Sequence, residues 1–177
     1  DYLKGEPIET IYLGGGTPSQ LAKEDFEAIF SHIYKVYKVT PNAEITLEAN
    51  PDDLTSEYIS MLRTFPFNRI SMGIQTFQET TLKQLQRRHT ADQAIRAFQG
   101  CRTAGFQNIS IDLMYGLPGE TLTSWKKDLK QALSLHPEHI SAYHLIYEEG
   151  TPLWKLREQH KVEEADEDLS VSLFGTL

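Results

Sequence analysis

The sequence predicts an α/β protein built on a parallel sheet, and three observations carry that reading. Short β-branched or apolar runs alternate with stretches of helical periodicity. The connections between them are short, which favours right-handed βαβ units. Successive strands begin about 25 to 40 residues apart, the size of one such unit. No sequence repeat accompanies this period, so a solenoid is not expected.

Five runs are predicted strands: Ile8 to Leu13, Glu44 to Leu47, Arg69 to Ile74, Asn108 to Tyr115 and His139 to Leu145. Between the first two, Phe26, Ile29, Phe30, Ile33, Tyr34 and Tyr37 recur at helical spacing. Thr55 is placed to cap a helix, with Leu54 and Ile59 at hydrophobic-staple positions. Thr90-Ala91-Asp92-Gln93 reads as a capping box, opening a helix with Ala94, Ile95, Ala97, Phe98 and Cys101 on its inner side. Gly105 sits where a left-handed C-terminal cap belongs. Leu122, Trp125, Leu129, Ala132, Leu133 and Leu135 mark a further helix, stopped by Pro137. The acidic Glu163, Glu164 and Asp166-Glu167-Asp168 read as a solvated helix face or linker. Periodicity leaves open whether the sheet is doubly wound or part of a barrel.

Composition excludes several functions. A formal net charge of −8, with Arg87-Arg88 and Lys126-Lys127 the densest basic spots, gives no nucleic-acid footprint. No apolar run reaches the roughly 20 residues of a membrane span, and no signal peptide opens the chain. With Cys101 the one cysteine, no internal disulfide forms, so the cytoplasm is the expected compartment. The six histidines lack metal-ligand spacing, and Cys101 on an apolar helix face reads as a core thiol. The chain opens without Met and ends without an obvious cap, and we read it as an excerpt.

Parallel α/β folds bind ligands at the carboxyl ends of their strands. The residues there are Gly14-Gly15-Gly16-Thr17-Pro18, then Glu48-Ala49-Asn50-Pro51, Gly73-Ile74-Gln75, Asp112 with Tyr115-Gly116-Leu117-Pro118-Gly119, and Tyr143-His144. Three glycines let a ligand approach the main chain, or simply make a tight turn. Neither a phosphate-binding loop nor a dinucleotide fingerprint is present. Glu48 and Asp112 lie within apolar runs and need partners; a ligand, a helix end, Arg69 or Arg87 would each serve. Gln75 reads as a ligand contact or a core amide. Together the two carboxylates suit an ammonium and a sugar diol, and Arg87 suits a carboxylate.

Four segments carry a family resemblance: Ile11 to Ser19, Leu47-Glu48-Ala49-Asn50-Pro51, Ile70 to Phe77 and Ile111 to Gly119. Together and in this order they resemble the radical S-adenosylmethionine (SAM) proteins, closest to the group of the heme chaperone HemW and oxygen-independent coproporphyrinogen III oxidase. The match runs from about Ile11 to Leu153. The resemblance implies a partial (β/α)6 TIM-like barrel, with residues 1–153 its central part and 154–177 the start of the following linker or C-terminal region. It implies SAM as cofactor. Gly15, Gly16 and Thr17 would line its methionine end, and Glu48, Gln75, Arg87 and Asp112 match further SAM-contacting positions. It also implies a [4Fe–4S] cluster held by a C-x3-C-x2-C loop, whose cysteines this chain does not contain, and heme as a ligand of the full-length protein.

Within the group, Asn50 before Pro51, Thr76 after Gln75, and Leu85-Gln86-Arg87-Arg88-His89 resemble the chaperone, which binds heme and passes it to accepting proteins. The alternative is the oxidase, which cleaves SAM to a 5′-deoxyadenosyl radical and decarboxylates two propionates. Two readings of other classes stand beside these: an inert structural barrel core, and an enzyme using Glu48 and Asp112 as general acid and base. Without the cluster loop the chain alone is expected to be inactive.

Overall fold

The computed structural model describes residue 3 and residues 5–177. Its strands are β1 (Ile8–Leu13), β2 (Val39–Ala49), β3 (Arg69–Gln75), β4 (Asn108–Tyr115) and β5 (His139–His144). Its helices are α1 (Lys23–Val36), α2 (Ser56–Leu62), α3 (Glu79–Gln84), α4 (Ala91–Thr103), α5 (Leu122–Ser134), α6 (Pro152–Glu158) and α7 (Glu167–Phe174). All neighbouring strands pair in parallel, in the order β1-β2-β3-β4-β5.

A strand order equal to the chain order has a geometric consequence. Each right-handed crossover steps one place in the same direction, so the connecting helices fall on one face. A doubly wound sheet reverses direction partway and carries helices on both faces. The singly wound sheet here curls into a half-barrel, which bears out the expected partial barrel.

The two faces differ in chemistry. Toward the helices, Ile11, Ile45, Leu47, Ile70, Met72, Ile109 and Ile111 bury against Phe26, Phe30, Phe98 and Trp125. On the other face, register aligns Tyr12 with Thr46, Glu48 with Ser71, Ser71 with Ser110, and Gly73 with Asp112 and then Ser141. Side chains alternate by two along a strand, so residues aligned this way share a face. A closed TIM barrel packs branched apolar residues inside. This concave face is polar.

The local stop and start signals act as the sequence reading expects. Thr55 Oγ1 accepts from Tyr58 N at 3.2 Å, and Leu54 and Ile59 are buried on either side. Thr90 and Gln93 form the reciprocal box, with bonds of 3.1 and 2.8 Å, and Gly105 closes α4 at φ +95°. β2 starts earlier than expected, at Val39. The added stretch contains Pro41 and Asn42, which disfavour strands, but β3 begins only opposite Thr46 and leaves Pro41 and Asn42 without a strand partner on that edge. The acidic segment supplies the cap of α7: Asp166 accepts from Leu169 N at 2.7 Å, and Glu167 and Asp168 sit in its first turn. α7 folds back onto the core, where fully buried Trp125 donates Nε1–H to Leu173 O at 3.0 Å. Among the described residues no helix is long and apolar enough to cross a membrane.

Candidate functional site

A cleft of about 370 Å³ opens at the carboxyl ends of the strands. Gly16, Thr17, Glu48, Gln75, Asp112 and Tyr143 are among the residues lining it. Its size suits one small molecule.

The β1 end shows why glycines stand there. A Cβ on Gly14 would lie 2.5 Å from the Tyr12 ring and 2.8 Å from the Glu48 carboxyl group, so only glycine leaves room for both. Gly15 and Gly16 have φ of +75° and +59°, the left-handed region that disfavours other residues. Their turn brings Gly15 N–H to Glu48 Oε2 at 3.0 Å, while Tyr12 O–H donates to Oε1 at 2.7 Å. Partial burial, and then the bond to Glu48, push the Tyr12 hydroxyl up to about 12, so it stays a donor. Glu48 therefore enters the cleft already oriented by two donors, with acceptor capacity left.

Asp112 faces the same space from β4. Its carboxylate accepts from Ser71 Oγ at 3.1 and 3.3 Å. Burial raises its pKa above the usual carboxylate range, the bonds from Ser71 and Ser141 offset part of that, and the nearby Glu48 charge adds to the rise. Among the described residues neither Glu48 nor Asp112 forms an ion pair with Arg69 or Arg87, and both lie within strands and cap no helix.

Arg87 reaches the cleft wall from behind. Its Nη2 donates to Asn50 Oδ1 at 2.7 Å and to Gly73 O at 2.9 Å, tying the ends of β2 and β3 together. Its Nε is buried without a partner. Asn50 N in turn donates to Ser19 Oγ at 3.2 Å, and Ser19 donates to Asp53 at 2.6 Å. Of the seven residues singled out in the sequence, Gly16, Thr17, Glu48, Gln75 and Asp112 thus line the cleft, while Gly15 and Arg87 stand one step behind it.

Ser19, Ser71, Met114 and Tyr143 also line the cleft and were not among those seven. A period-2 signal was available for two of them: Ser71 precedes Gly73 by two, and Met114 follows Asp112 by two. Tyr143 is then set by its register with Met114. Two carboxylates, an amide and a glycine-exposed main chain make a set that takes a ligand with cationic and hydroxyl groups. Cys101 is elsewhere, fully buried on α4, its thiol pushed up to about 12 by that burial.

Comparison with known proteins places the chain in a family. A model described as the radical SAM superfamily matches residues 1–132. The chain is 39% identical over 160 residues to the heme chaperone HemW of Bacillus subtilis (strain 168), covering 89% of this chain and 42% of that protein. It is 37% identical over 150 residues to the heme chaperone HemW of Escherichia coli (strain K12), covering 85% and 40%. It therefore spans less than half the length of these curated relatives. Its fold superposes on coproporphyrinogen III oxidase (HemN) from Escherichia coli, a radical SAM enzyme, with a TM-score of 0.82 and 25% identity, over 96% of this chain and 39% of that one. The half-barrel, the four strand-end motifs and the match over residues 1–132 agree, and the chain belongs to the radical SAM superfamily.

Proposed function

We propose that the cleft binds SAM in a heme chaperone resembling HemW, acting in the cytoplasm on heme and its accepting proteins. The observation that supports it most is the convergence of Gly16, Thr17, Glu48, Gln75 and Asp112 on one cleft, with Gly15 and Arg87 bracing it. In this reading Glu48 takes the SAM ammonium, Asp112 the ribose hydroxyls, and the Gly15–Thr17 main chain the methionine end. Gln75 supplies an amide contact, and Arg87 holds the wall they stand on. Residues 1–153 are the central part of the barrel, and residues 154–177 begin the region that follows.

The donor set fits SAM and does not fit an iron–sulfur cluster. A [4Fe–4S] cluster is held by several Cys thiolates, and the one thiol here is buried in the core. Bound beside a reduced cluster, SAM supplies one-electron chemistry; this chain's residues bind and orient it. Calorimetric titration of the intact protein tests the site. Glu48→Ala is expected to weaken SAM binding by about 1–3 kcal/mol, the value of a charge-assisted hydrogen bond, and to leave the fold unchanged. Equal affinity in mutant and parent would remove Glu48 from the site, and unfolding would assign it a structural role.

Relatives named as heme chaperones, together with Asn50, Thr76 and the Leu85–His89 segment, support the chaperone over the oxidase. The structural likeness to HemN keeps the oxidase as the second reading. A heme titration followed by transfer to a heme-free acceptor, run beside a propionate decarboxylation assay, separates them. Decarboxylation without heme transfer would overturn the chaperone reading.

A further inference from the structure

Gln75 is held in a conformation that it does not favour by itself. Its φ is +72°, and Thr76 N donates to Ile74 O at 3.0 Å across it, closing a three-residue turn of the strained γ type. The same turn shifts the register between Gly73 and Gln75. A non-glycine residue in this region is disfavoured by about 1–3 kcal/mol and persists only where its surroundings over-determine it.

The surroundings that do so lie in α5. Asp128 is fully buried on the helix face that also carries Trp125 and Ala132. Its carboxylate accepts from Thr76 Oγ1 by a short bond, from Phe77 N at 3.2 Å and from Gln78 Nε2 at 2.8 Å. Those partners are the three residues immediately after Gln75. Thr76 Oγ1 also accepts from Gln78 N at 3.0 Å. On the other side of the turn, buried His89 donates Nε2–H to Ile74 O at 3.1 Å. A buried carboxylate is expensive unless fully bonded, and an apolar residue would pack this helix face at less cost. One bond of Asp128 goes to the last residue of this turn and the other two to the residues that follow it, and Asp128 does not line the cleft. Burial raises its pKa, and the bonds from Thr76, Gln78 and Phe77 offset part of the rise.

We propose that Asp128 and Thr76 are a positioning pair, whose bond across 52 residues of sequence holds the turn that aims Gln75 into the cleft. The inference rests on the reading of that cleft as a SAM site. It assigns Thr76 a mechanical role and names Asp128 as a determinant of SAM affinity that touches no ligand.

The test is a double-mutant cycle on the intact, anaerobically reconstituted protein, with SAM affinity read by calorimetry and folding by thermal melts. Asp128→Asn and Thr76→Val, which remove the charge and the hydroxyl with little change of shape, should each weaken SAM binding roughly 3- to 30-fold. Thr76→Ser, which keeps the hydroxyl, should restore affinity to within about twofold of the parent. In a Gln75→Ala background the same two substitutions should have less than about a twofold effect, because the pair acts through Gln75. Should Asp128→Asn fail to fold, Thr76→Val and Thr76→Ser give the same decision. Parental affinity in folded Thr76→Val, or an undiminished loss in the Gln75→Ala background, would overturn the proposal. An unmutated protein without SAM affinity would overturn the reading of the cleft itself, and Gln75→Ala would then have nothing to lose.

Discussion

Gly14→Ala separates the site from the fold. Gly14 has no left-handed φ, so alanine is tolerated by the backbone; the conflict is one of space. The new methyl group would lie 2.5 Å from Tyr12 Cε1 and 2.8 Å from Glu48 Cδ and Oε1. Tyr12 is 55% exposed and can swing outward, so relief comes from moving these two side chains and breaking their bonds to each other and to Gly15 N. Two exposed hydrogen bonds at about 1 kcal/mol each are lost. The smaller conformational freedom of the unfolded alanine chain offsets about 0.4–1 kcal/mol, which leaves a net destabilisation of about 1–1.5 kcal/mol. With Glu48 in its proposed role on the SAM ammonium, SAM binding should fall by as much as in Glu48→Ala, about 5- to 150-fold. Gly15→Ala and Gly16→Ala are the controls. A methyl group there meets nothing within 4 Å, but φ values of +75° and +59° should lower stability by about 1–2 kcal/mol each. Urea unfolding and calorimetric SAM titration on the same preparations read both quantities. A folded Gly14→Ala protein with parental SAM affinity would refute the steric reasoning.

Three further outcomes are expected. Trp125→Ala should destabilise the fold by about 3–5 kcal/mol, and Trp125→Phe by about 1–3 kcal/mol because Leu173 O loses its donor; urea unfolding that finds Trp125→Phe as stable as the parent would show that the bond to α7 contributes nothing. Glu120, which accepts from Gly116 N at 2.6 Å, has its pKa raised by burial from 4.5 to about 7. The folded state therefore binds its proton more tightly than the unfolded state, a contribution to stability that is fully present below pH 4.5 and lost as pH rises through about 7. Unfolding free energies followed from pH 4 to 8 should lose that part of their slope in Glu120→Gln, and an unchanged slope would contradict the assignment. Reconstitution of the 177-residue chain with iron and sulfide under anaerobic conditions should give no stoichiometric [4Fe–4S] spectrum, since its one thiol is buried on α4. A stable cluster would mean that ligands other than the three loop cysteines hold it, and would overturn the ligand assignment.

Legibility in the sequence followed the range of the interactions. β1 and β4 were read to the residue, because alternation by two and the flanking glycines are local signals. α3 escaped the reading: six residues give too little periodicity, and its one buried side chain, Leu82, is placed by tertiary packing. The early start of β2 depends on β1 lying beside it, which no local pattern encodes.

At the strand ends the sequence by itself determined which chemical groups the cleft contains. Glycines, carboxylates and an amide placed just after apolar runs must emerge at one rim once the strands run parallel. What each group does there was left to the tertiary structure. Glu48 is oriented by Tyr12, 36 residues away, and Arg87 is spent on Asn50 and Gly73 instead of standing free for a ligand carboxylate. Thr76, which in the sequence only marked one family group against another, is held by Asp128. The physical reason is register. A one-residue slip in strand pairing would send each of these side chains to the opposite face, and register is settled by burial along the whole sheet, not by the residues that use it.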